Sequence, residues 1–147
     1  MYKHILIPTD GSELSLKAVN HGIELAKVVK ARVTSITVVS PSIVFDFEPE
    51  KFKGPSDDWG YKSLMEAFAS KCLDQVKTEA VQRDVRCDVM YVEHEQPYQA
   101  IIDAATNEHC DLIVMASHGR GGIAAVVLGS VTLKVLTHST IPVLVYR

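Results

Sequence analysis

Short apolar runs alternate along this chain with longer stretches whose apolar residues recur at helical spacing. The runs that resemble β-strands cover residues 3–7, 33–39, 85–91, 111–115 and 143–146. Helices are predicted between them, over residues 12–30, 64–83, 97–105 and 129–138. Strands that alternate with helices predict an α/β fold, namely an open five-stranded parallel sheet with right-handed crossovers and helices on both faces.

The later strands differ in their expected burial. The run Leu112-Ile113-Val114-Met115 is apolar throughout, which is typical of a central strand covered on both faces. Residues 85–91 alternate between apolar and polar, which predicts a strand half exposed at a sheet edge. The last strand, Val143–Tyr146, is apolar on both faces and is expected at an edge, where it would favour pairing with another chain.

The predicted helix boundaries rest on local signals. Ser12 is placed to cap the first helix, and Pro97 suits the first turn of the third. Between the second strand and the second helix, residues Ser40–Ser63 show no clear period and contain three prolines and two glycines. This segment is interpreted as a long exposed connection.

Composition limits the classes of function. The 147 residues are expected to form one domain over 1–147, and a net charge of −3 provides no basic surface for nucleic acid. Neither a membrane span nor a signal peptide is expected, because no apolar run approaches about 20 residues and the first strand starts at Lys3. Cys72, Cys87 and Cys110 are widely spaced and odd in number, which favours a reducing, cytoplasmic location.

In such a sheet, ligands bind beyond the carboxyl ends of the strands, where the strand order reverses. The loops of interest are therefore Pro8–Ser12, Val38–Pro41 and Met115–Gly122. Asp10 is placed to accept hydrogen bonds from a ligand's hydroxyl or amino groups. Alternatively, Asp10 and Ser12 only cap the first helix.

The loop after the fourth predicted strand is rich in small residues. Gly119, Gly121 and Gly122 surround Arg120, and a Gly129-Ser130 step opens the next helix. Glycines that allow close approach, followed by a helix N-terminus, indicate a phosphate-binding loop. The alternative is a flexible surface loop, since neither GxxxxGK[ST] nor a complete GxGxxG is present.

Three segments together resemble the universal stress proteins of the UspA type over essentially all 147 residues. They are Ile7-Pro8-Thr9-Asp10-Gly11-Ser12, then Ser117-His118-Gly119 followed after nine residues by Gly129-Ser130, and the ending Ser139-Thr140-Ile141-Pro142-Val143-Leu144-Val145. The nucleotide-binding branch of that family has Gly, two residues, Gly, nine residues, Gly and then Ser or Thr. Gly119, Gly129 and Ser130 match this pattern, and Ala116 replaces the first glycine.

The resemblance implies a Rossmann-like, adenine nucleotide alpha hydrolase-like fold with strand order 3-2-1-4-5. It also implies ATP or AMP binding and leaves open whether Mg²⁺ accompanies the nucleotide. The residues it places at the base and ribose are Pro8, Thr9, Asp10, Val38 and Met115. Those at the phosphates are Gly119, Arg120, Gly129, Ser130 and Val131. Ser117 and His118 of the same loop are further candidate binding residues, and His118 could contact phosphate. His118 has an equally good alternative role in shaping the loop.

The leading hypothesis is therefore an adenine-nucleotide sensor or regulator in the stress response. One alternative is a dimeric interaction protein without nucleotide, suggested by Ala116 and the segment Ser40–Ser63. A third is at most a slow ATPase, for which Arg120 could stabilise charge but no general base is evident, so no catalytic residue is assigned.

Two further expectations concern partners and metals. The family commonly dimerises through its last strand, which implies a homodimer through Val143–Tyr146. The triplet Glu93-His94-Glu95 supplies too few converging ligands for a metal, so no metal site is predicted.

Overall fold

A computed structural model describes residues 1–120 and 128–147 of the chain. The strands are β1 (His4–Pro8), β2 (Arg32–Val39), β3 (Cys87–Glu93), β4 (Leu112–Ala116) and β5 (Val143–Tyr146). The helices are α1 (Glu13–Val29), α2 (Pro41–Phe47), α3 (Asp58–Gln82), α4 (Pro97–Asn107) and α5 (Ser130–His138). None of the helices in these two ranges contains an apolar stretch sufficient to cross a bilayer.

The strands form one parallel sheet in the order β3-β2-β1-β4-β5, which confirms the predicted fold and strand order. The central strand β1 pairs with β2 on one side and β4 on the other, and its apolar residues Ile5, Leu6 and Ile7 are fully buried. Along the chain, β2 and β3 extend the sheet outward from one side of β1, and β4 and β5 then extend it from the other side. The strand order therefore reverses between β1 and β4, which is where a ligand cleft is expected.

Helices cover both faces of the sheet, as predicted. On one face, Val19 and Ile23 of α1 and Val76 of α3 pack with Ile5 and Val33. On the other face, α4 and α5 cover Leu6, Ile36, Ile113 and Met115. Successive residues of a strand point to opposite faces, so the apolar runs of β1 and β4 supply both layers of the core.

The predicted helix caps are confirmed at two positions. The side chain of Ser12 accepts a hydrogen bond from the Ser15 N–H at 3.3 Å, which makes Ser12 the N-cap of α1. Pro97 occupies the first turn of α4, where its missing N–H costs no helical hydrogen bond.

The prediction of a long exposed connection over Ser40–Ser63 is wrong. Residues Pro41–Phe47 form α2, and α3 begins at Asp58, six residues before the predicted Leu64. The physical reason is tertiary packing: Val44 and Tyr61 are buried in a third apolar cluster with Phe68. Pro41 starts a helix here instead of interrupting one.

The prediction that β3 lies at a sheet edge is confirmed, because β3 pairs only with β2 among the described strands. β3 is less exposed to solvent than its alternation of apolar and polar residues indicated. Val89 and Tyr91 pack on the third apolar cluster, while Met90 and Val92 pack on the opposite face against the cluster that includes α4. The strand is thus partly covered on both faces.

A buried histidine lies at the amino end of β1. His4 is 3% exposed, and its Nε2 shares a hydrogen bond with Thr34 Oγ1 at 2.8 Å. Burial, together with the nearby Arg32 charge, lowers the pKa of His4 from 6.5. The folded protein therefore disfavours the imidazolium form, which the unfolded chain adopts below pH 6.5.

We expect the free energy of unfolding to fall as the pH drops through 6.5, since the unfolded state then binds a proton that folded His4 does not. One such proton contributes at most about 1.4 kcal/mol per pH unit. Urea unfolding at pH 7.5 and 5.5 measures the slope, with His4→Gln as the variant that lacks the titrating group. An identical pH dependence in both proteins would contradict the assignment to His4.

Candidate functional site

A cleft of about 730 Å³ opens at the carboxyl ends of β1, β2 and β4. Eleven of the twelve predicted site residues line it: Pro8, Thr9, Asp10, Val38, Met115, His118, Gly119, Arg120, Gly129, Ser130 and Val131. Ser117 lies behind the wall, 2% exposed. The loop residues Gly121 and Gly122 fall outside the described residues.

Buried hydroxyl groups hold the end of β1 in place. The Thr9 N–H donates to the Ile36 carbonyl at 2.9 Å, and the Thr9 carbonyl accepts from Thr37 Oγ1 at 2.8 Å. Thr9 Oγ1 also lies 3.0 Å from Ser15 Oγ, and it accepts from the Gly11 N–H at 3.2 Å. Because the polar groups of Thr9 are partnered within the protein, the floor of the cleft has a defined shape.

The Asp10 carboxylate joins two loops that are far apart in sequence. Its Oδ1 accepts from the Ser12 N–H at 2.9 Å, and its Oδ2 accepts from the Arg120 N–H at 2.9 Å. The first bond agrees with the interpretation that Asp10 helps to start α1. The second spans 110 residues, and local sequence reasoning did not predict it.

Gly119 is required by this close approach. A Cβ added at Gly119 would overlap Oδ2 of Asp10. Gly119 is not among the glycines with positive φ, which are Gly11 and Gly54 in the described ranges. The side chain is therefore excluded by space and not by backbone angle.

The start of α5 docks tightly against the end of β4. The Gly129 N–H donates to the Ser117 carbonyl at 2.6 Å, and a Cβ at Gly129 would lie 3.1 Å from His118 Cα. Thr132 Oγ1 donates to the Ala116 carbonyl at 2.8 Å. These contacts place the first turn of α5 at the cleft, and the N–H groups of a first turn have no partner within their own helix.

Ser117 supports the wall from behind. Its N–H donates to the Tyr146 carbonyl at 2.8 Å, and its Oγ shares a hydrogen bond with His118 Nδ1 at 3.1 Å. His118 in turn faces the cleft. Ser117 therefore orients His118 and is not itself part of the cleft surface.

Ala116 ends β4 in ordinary strand geometry. The described non-glycine residues with positive φ are Lys30, Asp84 and His109, so the backbone of Ala116 carries no left-handed strain. The consequence of alanine at this position is one methyl group on the cleft wall. Alanine is compatible with the loop that follows.

The cleft has an apolar part and a polar part. Ile36, Val38, Ile101 and Met115 belong to one apolar cluster and line the former. The charged and hydroxyl side chains of the lining include the Asp10 and Asp46 carboxylates, the Ser130 hydroxyl and the Arg120 guanidinium. The Arg120 Cζ lies 5.3 Å from the centroid of the Phe68 ring, which holds this cation beside the cleft.

Sequence reasoning missed several lining residues, namely Ser15, Ile36, Ile43, Asp46, Phe68, Pro97, Ile101 and Thr132. Ile43 and Asp46 were missed because their segment was interpreted as an irregular connection. Pro97 could have been found from topology, since the start of a helix that follows a parallel strand lies near the carboxyl edge of the sheet.

Together the fold and the cleft define an open parallel α/β protein with a cleft at the switch point of the sheet. The model of the universal stress protein family matches residues 1–147. The chain is 34% identical to universal stress protein MJ0531 of Methanocaldococcus jannaschii, covering 100% of this chain and 83% of that protein. It is 30% identical to universal stress protein YxiE of Bacillus subtilis, with both chains covered completely. The chain belongs to the universal stress protein family.

Solved structures agree with this assignment. Protein MJ0577 of M. jannaschii superposes with a TM-score of 0.78 at 29% identity, covering 99% of this chain and 95% of that one. UspA of Lactobacillus plantarum superposes with a TM-score of 0.77 at 24% identity, covering 99% and 98%. The fold is the one these proteins share.

We expect Asp10→Ala to lower the free energy of unfolding by about 1–2 kcal/mol, because two backbone N–H groups lose their acceptor. Asp10→Asn keeps one carbonyl oxygen and should lose about half as much. Urea denaturation at pH 7.5 compares the three proteins. Equal stability of wild type and Asp10→Ala would show that the bridge to Arg120 does not stabilise the fold.

Proposed function

We propose that this protein binds an adenine nucleotide, AMP or ATP, in the cleft and acts as a sensor or regulator in the stress response. The observation that carries the proposal is the division of one cleft into an apolar part and a polar part with a helix N-terminus and a cation. A nucleotide has the same division, since its base is largely apolar and its phosphates are anionic. The cleft volume of about 730 Å³ is ordinary for a small-molecule site.

The base and ribose would occupy the part nearest β1 and β2. The side chains of Val38, Met115 and Ile101 offer apolar surface to a planar base. Pro8, Thr9 and Asp10 would border the ribose. Each Asp10 oxygen accepts one described backbone N–H and has a second lone pair for a ribose hydroxyl.

The phosphates would occupy the polar part of the cleft, between the loop that contains Gly119 and the start of α5. Gly119 allows backbone approach, while Gly129, Ser130 and Val131 bring the first turn of α5 to the cleft. N–H groups at a helix N-terminus favour anions through both hydrogen bonding and the helix dipole. Arg120 adds a positive charge, and His118 also lines the cleft. Any Mg²⁺ would enter with the phosphates of ATP.

Structures with the same fold support this class of ligand. A universal stress protein in complex with cAMP superposes with a TM-score of 0.70 at 23% identity. A universal stress protein of Archaeoglobus fulgidus in complex with dAMP superposes with a TM-score of 0.60 at 16% identity. At these identities the likeness concerns the fold, and the proposal for this chain rests on its own cleft.

Titration calorimetry with AMP and ATP should give saturable binding heat for the wild-type protein. We expect Val38→Trp to weaken binding about tenfold or more, roughly 1.4 kcal/mol, because the indole would fill the apolar part of the cleft. Val28→Trp is the matched control, since Val28 is 80% exposed on α1, away from the cleft.

Absence of heat and of a thermal shift at millimolar nucleotide would overturn the proposal. That result would favour the alternative of an interaction protein that uses the fold without nucleotide. Equal binding by Val38→Trp and wild type would place the base elsewhere. Nucleotide released on denaturing freshly purified protein would support the proposal without any added ligand.

We further propose that the protein forms a homodimer through β5. This strand is last in the order of the described sheet. The Pro142 carbonyl accepts from the Ile113 N–H of β4 at 2.9 Å, and the Tyr146 carbonyl accepts from the Ser117 N–H just after β4 at 2.8 Å. Because alternate residues of a strand face the same neighbour, Val143 and Val145 direct their N–H and carbonyl groups to the open edge. Leu133 of the adjacent α5 is 53% exposed and adds apolar surface.

Val145→Pro removes one outward N–H and leaves the bonds to β4 in place, since proline is tolerated at a sheet edge. We expect light scattering at micromolar concentration to give a dimer mass for wild type and for Val145→Ala, and a monomer mass for Val145→Pro. A monomeric wild-type protein would contradict the proposal. A dimeric Val145→Pro would place the interface away from this edge.

A further inference from the structure

A second, smaller cavity of about 290 Å³ adjoins the cleft. It shares Asp10, Phe68 and Arg120 with the cleft. Its remaining lining residues are Gly11, Leu16, Lys71, Cys72 and Gln75. We call this cavity the annex.

One face of α3 forms a wall of the annex. Phe68, Lys71, Cys72 and Gln75 are spaced by three or four residues, so they lie on the same side of the helix. Opposite them, Gly11 has a φ of 77° and approaches closely, since a Cβ there would lie 3.0 Å from Cys72 Sγ. A larger residue at position 11 would narrow the annex.

Two cations border the annex without a carboxylate partner. The Arg120 guanidinium lies over the Phe68 ring, and the Lys71 ammonium lies 5.4 Å from the centroid of the Phe47 ring. The ion pairs of the described residues involve neither side chain, and the sequence of residues 121–127 contains no Asp or Glu. Both residues line the annex, and neither charge is paired with a carboxylate of the described residues.

The opposing charge in the annex is small. Asp10 is the one acidic residue among the described lining residues, and each of its oxygens already accepts a backbone N–H. Burial raises the pKa of the Cys72 thiol, so this group remains neutral near pH 7. Two cationic residues and one acidic residue therefore line the annex, and hydrogen bonds partly compensate the charge of the Asp10 carboxylate.

Arg120 connects the annex to the phosphate end of the cleft. Its N–H bonds to Asp10, its guanidinium lies over Phe68, and its side chain borders both cavities. Its neighbour Gly119 lies against the Asp10 carboxylate, which borders both cavities as well. A phosphate chain that extended past Arg120 would enter the cavity that Lys71 also lines.

We propose that the annex receives the outer phosphates of a nucleoside di- or triphosphate, with Lys71 and Arg120 as its cationic partners and the Gln75 amide as a neutral donor. The inference rests on the proposed nucleotide site in the cleft. It assigns to α3 the discrimination of ATP and ADP from AMP. AMP has a single phosphate, which would not extend as far as Lys71. The annex would favour nucleotides with outer phosphates, because these carry more negative charge and extend farther from the base.

The test compares AMP, ADP and ATP by calorimetry in buffer with EDTA, so that Mg²⁺ does not mask the phosphate charge. Lys71→Gln should weaken ATP binding about fivefold and leave AMP binding within about twofold, since only the outer phosphates lose a charged partner. Gln75→Glu should weaken ATP binding at least as much, because it places a carboxylate in the annex.

Lys77→Gln is the matched control. It lies on the same helix, makes the same change in net charge, and its ammonium lies 3.8 Å from Asp74, outside the annex. We expect it to leave the ratio of ATP to AMP affinity unchanged. A decrease of that ratio in Lys71→Gln but not in Lys77→Gln supports the proposal.

The contrary outcomes are distinct. If the wild-type protein binds AMP and Lys71→Gln changes neither AMP nor ATP affinity, the annex does not hold phosphate, while the nucleotide site in the cleft stands. If the wild-type protein binds neither AMP nor ATP, both proposals fail together. Equal loss of AMP and ATP binding in Lys71→Gln would assign Lys71 a general role in the shape of the site and overturn its role in discrimination.

Discussion

The hydrogen bond from the Arg120 N–H to the Asp10 carboxylate joins the loops after β1 and β4, and the shape of the cleft depends on it. The strand order of the described sheet reverses between β1 and β4. The bond therefore lies at the point where the connections after these two strands lead in opposite directions. It requires Gly119, whose missing side chain leaves room for the carboxylate. The same bond also holds the Arg120 backbone where its side chain borders both the cleft and the annex.

A polar layer beneath the cleft makes this arrangement rigid. Thr9, Ser15 and Thr37 are buried, and their hydroxyls bond to one another or to backbone carbonyls near the ends of β1 and β2. Buried polar groups are costly unless they are partnered, and here each finds its partner close to the switch point. These hydrogen bonds determine the geometry of the cleft floor, and Gly119 and the Gly129-Ser130 step line the same cleft. A fixed geometry suits a site that must present backbone N–H groups to an anion.

The helices α2 and α3 contribute residues to both cavities. They supply Ile43, Asp46 and Phe68 to the cleft and Lys71 and Gln75 to the annex. Local signals predicted the helix only from Leu64 onward, and pointed to an irregular segment over α2 and the first turns of α3 because Pro41, Gly54 and Pro55 interrupt any period. The helices are stabilised instead by the burial of Val44, Tyr61 and Phe68 in a shared cluster, a contact between residues distant in sequence. Propensity read over a short window does not detect such a contact.

The sequence by itself determined the strands, the parallel α/β architecture and the loops at the cleft, because each depends on local periodicity, caps and the order of elements. It also identified Asp10, Gly119 and the Gly129-Ser130 step as one group. Only the tertiary structure decided how they act together: the Asp10 carboxylate reaches the Arg120 backbone, Ser117 lies behind the wall, and Ala116 stays in unstrained strand geometry. It also decided that α3 borders the site. These features depend on distances between residues far apart in the chain, which folding alone establishes.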